Sequence, residues 1–403
     1  MHRRSFSHSL LALLFAALIT APALARDDAD IDVAPYLITS GDPADPAYAN
    51  AGKNLRNGVG SIFILLEAPG QDDAGFICTA SAIGPRHVLT AAHCVTESGF
   101  GVKDLLFVLS AGLDAPLILP AKGFSVHPFW DALAPFFGAI SPGDVAVIEL
   151  WEDLPDGIET YDLYTAADEF GQPARHYGHG RSGKGNKGAT GGADFFYART
   201  GLNTYEQTVE PLVGPLPDFL VGLFDQLVHD FDSGGRKHNA MEWWFTSSFA
   251  CHPDNPTAPP QAQNGQCTTF KDGSYPDFKG FGKREVGIAP GDSGGPGFID
   301  GKIAGIHSFG FTHLCEGVTN GTDFTCGLDS SYGEMAGDTR VSSYAGWVQS
   351  VSVVDGFERP VPEVEPAPAG EGGLAAGLEL SERNRLFLEN VEVRNLRLRV
   401  ELD

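Results

Sequence analysis

Positive charge is scarce in this chain. Its 403 residues hold 27 Lys and Arg against 52 Asp and Glu, for a formal net charge of −25. Phosphate binding needs clustered Lys and Arg, so nucleic acid is excluded as a partner. The acidity reads as a solubility device of an extracellular protein. Charged residues of all kinds make up only 20%, whereas Gly numbers 50 and Pro 27. That balance suits an all-β protein with many turns better than a helical one. Beyond the N-terminus no apolar run is long enough for a transmembrane helix. No H-E-x-x-H pattern and no EF-hand-like loop occurs. No metal or cofactor is therefore expected. His87, His127, His176, His179, His229, His238, His252 and His313 read as satisfied surface or loop histidines, although His176 and His179 are three apart.

What is present starts with a leader. His2-Arg3-Arg4 is basic, Leu10 to Ile19 is apolar, and Ala23-Leu24-Ala25 is a small-x-small cleavage site. Residues 1–25 thus read as a signal peptide, with the mature chain starting near Arg26. Arg3-Arg4-Ser5-Phe6 also looks like a twin-arginine signal. The expected location is secreted or periplasmic, where the six cysteines can form disulfides.

Gly291-Asp292-Ser293-Gly294-Gly295-Pro296 carries the chemistry. A serine between glycines leaves backbone N–H groups free to face a reacting carbonyl. The N–H groups of Gly291 and Ser293 can form an oxyanion hole. A serine nucleophile needs a base, and the base an orienting carboxylate. His93 stands in Leu89-Thr90-Ala91-Ala92-His93-Cys94, and Asp144 opens Asp144-Val145-Ala146-Val147-Ile148.

The order His93, Asp144, Ser293, with all three settings intact, resembles the chymotrypsin/trypsin family of secreted serine proteases. The resemblance implies an all-β fold of two packed six-stranded antiparallel β-barrels. Short β-like runs agree, among them Ser61 to Glu67, Phe76 to Ile83, His87 to Ala91, Leu105 to Ser110, Leu117 to Leu119 and Val145 to Leu150. The second barrel is expected to be enlarged, since Asp144 and Ser293 are 149 residues apart. The extra length falls in 183–275, with a Gly/Lys loop at 183–192 and an apolar stretch, Leu212 to Val228, that reads as a surface helix or lid.

Further site residues follow from the resemblance. Cys78 and Cys94 would be bridged, fixing the histidine loop. Cys251, Cys267, Cys315 and Cys326 would pair most simply as 251–267 and 315–326, with two other connectivities open. Ile38-Thr39-Ser40-Gly41 is similar to the start of mature family members, whose new amine inserts beside the acid here numbered Asp292. Residues 26–37 would then be a short pro-segment or arm. Ser308 resembles the residue supporting the buried aspartate. Ser308, Phe309 and Gly310 would pair with substrate as a strand. Gly287, followed by Ile288, stands at the base of the P1 pocket, so a Lys/Arg preference is not expected. Ala289 replaces a family cysteine, so the disulfide framing that pocket is missing. His307 resembles the pocket histidine of glutamyl endopeptidases and could bind a P1 carboxylate; a small or apolar P1 is the main expectation.

The protease domain is expected over 38–357, a Pro/Ala/Glu/Gly-rich linker over 358–377, and a strand-like tail over 378–403. Protein or peptide substrates are the expected partners, and the chain is expected to be a monomer. Two further classes share these features. One is a binding or adhesion protein on a protease-like scaffold, the other an esterase.

Overall fold

The computed structural model describes residues 37–67, 74–96, 100–210, 222–234, 238–241, 280–312, 322–353 and 356–362. The leader, Cys251, Cys267, Cys315 and the 378–403 tail lie outside them. Everything described belongs to one compact unit, Val33–Asp403. Among the described residues, no helix is long and apolar enough to cross a membrane.

The first barrel is built from β2 (Val59–Glu67), β3 (Ala74–Ala82), β4 (His87–Thr90), β5 (Gly101–Leu109), β6 (Leu117–Val126) and β7 (Ala146–Leu150), after a short β1 (Leu37–Thr39). Their order is β6-β5-β2-β3-β4-β7, and a β6–β7 ladder closes the ring. The period of two along β2 explains its burial. Ile62, Ile64 and Leu66 face the barrel core. Phe63 and Leu65 face outward and are covered by Phe195 of a later loop. Both faces are therefore apolar, which the simple hydrophobic run already hinted.

The second half contains β8 (Pro173–Gly178), β9 (Ser182–Lys184), β10 (Gly188–Ala189), β11 (Arg199–Thr204), β12 (Gln207–Thr208), β13 (Leu227–Asp230), β14 (Val286–Gly287), β15 (Pro296–Ile299), β16 (Lys302–Phe311) and β17 (Met335–Arg340). Seven of these form a curled sheet in the order β11-β8-β15-β16-β17-β13-β12. Among the described residues no ladder joins its two edges. The Asn203 side chain instead bridges across, donating to the carbonyls of Asp230 and Val286 at 2.7 and 3.1 Å. A small third sheet, β10-β9-β1-β14, lies beside it.

Among the described residues there are three α-helices: α1 (Ala92–Val95), α2 (Pro128–Phe137) and α3 (Val341–Ser352). Pro128 at the first position and the His127 ring, which accepts the Phe129 N–H at 3.2 Å, start α2. Helix α3 packs Val341, Tyr344 and Val348 into a cluster that also holds Tyr177 and Phe298 of the second sheet and most of the first barrel's core. The two halves therefore share apolar packing, and the residues between them are held on a continuous base.

Several boundaries differ from the sequence reading. Leu37 is fully buried in β1, paired with Ser182, so the arm ends before it. The apolar stretch ending at Val228 closes as strand β13, with Phe224, Leu227 and Val228 buried rather than on a surface helix. Two backbone pairs in 183–192 are strand, not loop. At the C-terminal end, β18 (Arg359–Pro360) adds to β6 and Val361 is buried. The protein body thus runs past 357 before any linker starts.

Candidate active site

Asp144 comes just before β7, in the first barrel, and is completely buried. It accepts the His93 backbone N–H at Oδ1, 2.8 Å away, and meets His93 Nδ1 at Oδ2, 2.7 Å away. The Ser308 hydroxyl donates to the same Oδ2. Thr339 Oγ1 donates to the Asp144 carbonyl at 2.7 Å. A buried carboxylate without such donors would be costly. Here they also fix the imidazole's tautomer and orientation.

His93 sits on α1, the single turn that follows β4. A Cys78–Cys94 disulfide, Cα–Cα 6.2 Å, ties that turn to β3. Cys326 is also disulfide-bonded, to a cysteine outside the described residues. The Trp130 ring on α2 stands 6.3 Å from the His93 ring, and its indole N–H donates to Thr96 Oγ1 at 2.8 Å.

Ser293 lies in the tight turn before β15. Gly291 and Gly294 there take φ of +99° and +80°, open to glycine at little cost. The turn is docked on the first barrel. Thr79 donates its N–H to the Ser293 carbonyl at 2.7 Å and its hydroxyl to the Gly291 carbonyl at 3.1 Å. A Cβ at Gly294 would stand 2.0 Å from Thr90 Oγ1 and 2.3 Å from the Thr79 carbonyl. Thr90 is the residue that ends β4, just before the turn bearing His93. The serine turn is therefore pressed against the same two strands that deliver the histidine.

Within the turn, the N–H groups of Asp292, Gly294 and Gly295 all reach backbone carbonyls. Those of Gly291 and Ser293 have no protein acceptor among the described residues. They are the two donors nominated for the oxyanion.

Asp292 is wholly buried. Its carboxylate accepts N–H groups from Gly180 and Ala289, both at 2.8 Å. Burial pushes its carboxyl up to about 7, against the pull of His307 and these two donors. Ile38 runs through the middle of β1, between Gly183 of β9 and Gly287 of β14. The Leu37–Ile38 bond is therefore buried, and a protease would reach it only after β1 left the sheet.

A bulge between His307 and Phe309 breaks the β16–β17 register and turns Ser308 toward Asp144. Gly287, Ile288 and Gly310 line one pocket. The other walls were not anticipated: Phe231, Met335, Ala336, Ser330, Ser331 and Glu334 among them. Glu334 is buried at this pocket, and desolvation drives its carboxyl to about 9 even though it accepts the Asp329 N–H at 2.8 Å. His307 is not part of the lining. Its ring is fully buried and its Nδ1 lies 3.0 Å from Asp338 Oδ1. Burial opposes its charged form most strongly, but Asp338, Asp292 and the Tyr177 backbone together outweigh that and hold its pKa raised.

The histidines also depart from the sequence reading. His176, His179 and His229 are buried, not on the surface. His176 and His229 lie on β8 and β13, and His179 just beyond the end of β8. No sequence spacing could have grouped His176, His229 and His307, which meet only through strand order. Thr79 and Thr90 were missed for the same reason: they matter through what lands on them.

Residues 61–193 match the Trypsin family model. The closed first barrel, the curled second sheet and this match define a serine endopeptidase. Over residues 61–193, about a third of its length, the chain is similar to trypsin-type serine proteases. It is similar to the solved structure of HL collagenase, at 17% identity and a TM-score of 0.46, over 81% of this chain and 100% of that one. It is also similar to neuropsin, a serine protease expressed in the limbic system of mouse brain, at 13% identity and a TM-score of 0.43, over 76% and 98%. No curated protein matches the chain.

Proposed function

We propose that this endopeptidase cleaves peptide bonds through His93, Asp144 and Ser293, by way of an acyl-enzyme. The supporting observation is the buried Asp144, which engages His93 through both its ring and its N–H while the Ser293 turn is docked against Thr79 and Thr90. Ser293 Oγ attacks the scissile carbonyl. His93 takes its proton and returns it to the leaving amine. Asp144 stabilises the imidazolium that forms between those steps. The N–H groups of Gly291 and Ser293 receive the oxyanion. Water then repeats the sequence on the ester. An activated ester substrate tests this: rapid mixing should give a burst of leaving group stoichiometric with enzyme. A folded enzyme that turns over the ester with no burst and no dependence on Ser293 would refute the acyl intermediate.

For P1 the reading is a small or apolar side chain. Gly287, Ile288, Phe231, Met335 and Ala336 line the pocket beside the buried polar groups of His229, Asp230 and Glu334, and His307 turns away from it toward Asp338. A peptide library cleaved after Ala, Val or Leu supports this. Cleavage confined to Glu, and lost in His307→Ala, would reverse it. Export of the chain by residues 1–25 is part of the same proposal, and N-terminal sequencing of the secreted protein tests it.

A further inference from the structure

A second constellation lies outside the reacting groups. His176, His229 and His307 converge on Asp338 inside the curled second sheet. All four are buried, with at most 1% of any side chain exposed. His307 and Asp338 are direct partners across β16 and β17. His176 Nδ1 lies 3.8 Å from Asp338 Oδ2, and His229 Nε2 lies 3.8 Å from Asp338 Oδ1. The His176 ring stacks on His307 at 5.1 Å and stands 4.9 Å from His229.

Both ring nitrogens of His176 and both of His229 have no hydrogen-bond partner among the described residues. An orphaned buried polar group is costly, and buried polar atoms are satisfied in the great majority of cases. One nitrogen of each ring, His176 Nδ1 and His229 Nε2, faces this carboxylate, and a single cation beside it would partner both.

The packing around the carboxylate is close. A Cβ at Gly297 would fall 2.0 Å from the Tyr205 hydroxyl oxygen and 3.2 Å from His176, and one at Gly305 would fall 2.7 Å from Asp338 Oδ2. Tyr205 donates to Asp338 Oδ2 at 2.5 Å, which orients the carboxylate from behind.

We infer that His176, His229, His307 and Asp338 form a structural binding site for a divalent transition metal, with zinc the best fit. Three imidazoles, with His307 releasing its proton on binding, and one carboxylate are a nitrogen-rich donor set that zinc takes in a tetrahedral site. The ligand atoms of His176, His307 and Asp338 lie within 4.8 Å of one another. Zinc at about 2.1 Å from each ligand would draw them together by up to roughly 1 Å. One carboxylate against a dication leaves a single net positive charge. His176, His307 and Asp338 are completely buried, so the metal is taken up during folding and, with His229 as fourth ligand, holds β8, β13, β16 and β17 together. The inference rests on none of the roles assigned to His93, Asp144 or Ser293.

The test uses the full chain, refolded after chelator treatment with zinc or cobalt(II) chloride as the sole added metal. After gel filtration, elemental analysis should find about one metal ion per chain. The cobalt form should show the intense visible bands of a tetrahedral site. His93→Ala should keep the metal, which separates this site from capture by the proposed catalytic histidine. His176→Ala and His229→Ala should lose it. Wild-type protein that folds and keeps no metal overturns the inference and points to buried water instead. Metal retained unchanged in folded His176→Ala or His229→Ala overturns it too. Should both variants fail to fold, the wild-type cobalt spectrum decides: an octahedral, oxygen-rich spectrum counts against the site.

Discussion

Ser308 reaches from the second sheet to the first barrel, where its hydroxyl donates to Oδ2 of the buried Asp144. That single bond crosses the boundary between the two halves. It lands on the carboxylate oxygen that also faces His93 Nδ1. The bulge in β16 exists where this bond is made. The orientation of the proposed base is therefore set by both halves together.

Asp144→Asn tests that dependence. The amide keeps its size but cannot hold the same imidazole tautomer or stabilise the imidazolium. The expected loss in kcat is about 10⁴-fold, with KM little changed. Ser308→Ala removes one donor of three and should cost roughly 1–2 kcal/mol of transition-state stabilisation, or about 10-fold in kcat. Steady-state kinetics on one peptide substrate compares them. Equal losses in the two variants would contradict the assigned roles.

Gly294→Ala is expected to fail for a steric reason. Its Cβ would overlap Thr90 Oγ1 and the Thr79 carbonyl, and φ is +80°. The left-handed conformation alone costs roughly 1–2 kcal/mol, and the overlap forces the serine turn off β3 and β4. Activity should fall by more than 100-fold while urea unfolding shifts by at least about 2 kcal/mol. A fully active variant would mean that the turn is not docked as described.

The Cys78–Cys94 disulfide closes a short loop, with a sequence separation of 16. Removing it as Cys78→Ala/Cys94→Ala should cost about 3 kcal/mol, since a loop of that length confines the unfolded chain to that extent. Chemical denaturation measures the loss. Activity should fall further than stability predicts, because His93 adjoins Cys94.

Glu334 makes stability depend on pH. Its carboxyl is raised from 4.5 to about 9 by burial. Between those values the unfolded chain has lost this proton and the folded chain still holds it. Folding therefore takes up a proton, and stability falls as pH rises from about 4.5 to about 9. Glu334→Gln keeps an oxygen for the Asp329 N–H and removes the titration. Urea midpoints taken from pH 5 to 9 should fall less steeply in the variant. Parallel slopes would show that Glu334 does not contribute.

Much of the fold and the proposed site was legible because it is written locally. Leu89 to Cys94, Asp144 to Ile148 and Gly291 to Pro296 each carry a short pattern, and their order is what resembles the family. The first barrel was legible from the short apolar, β-branched runs at Ser61 to Glu67 and its neighbours. The second half was not, because what closes it is a long-range side-chain bridge at Asn203 rather than a periodic strand. His307 was read from its neighbour Ser308 as a pocket residue. The pleat sends adjacent residues to opposite faces, and Asp338, its cross-strand partner, draws the ring inward. Pairing across a sheet is invisible to sequence spacing, which is also why Leu227 and Val228 looked like helix or lid.

The most direct measurement is labelling of the intact protein by a fluorophosphonate, followed by peptide mapping. Attack on phosphorus needs the serine nucleophile, its base and the oxyanion donors in place at once. The account predicts one label per chain, on Ser293, abolished in Ser293→Ala and strongly slowed in His93→Ala. Folded wild-type protein that takes up no label, or takes it up at a residue other than Ser293, would contradict it.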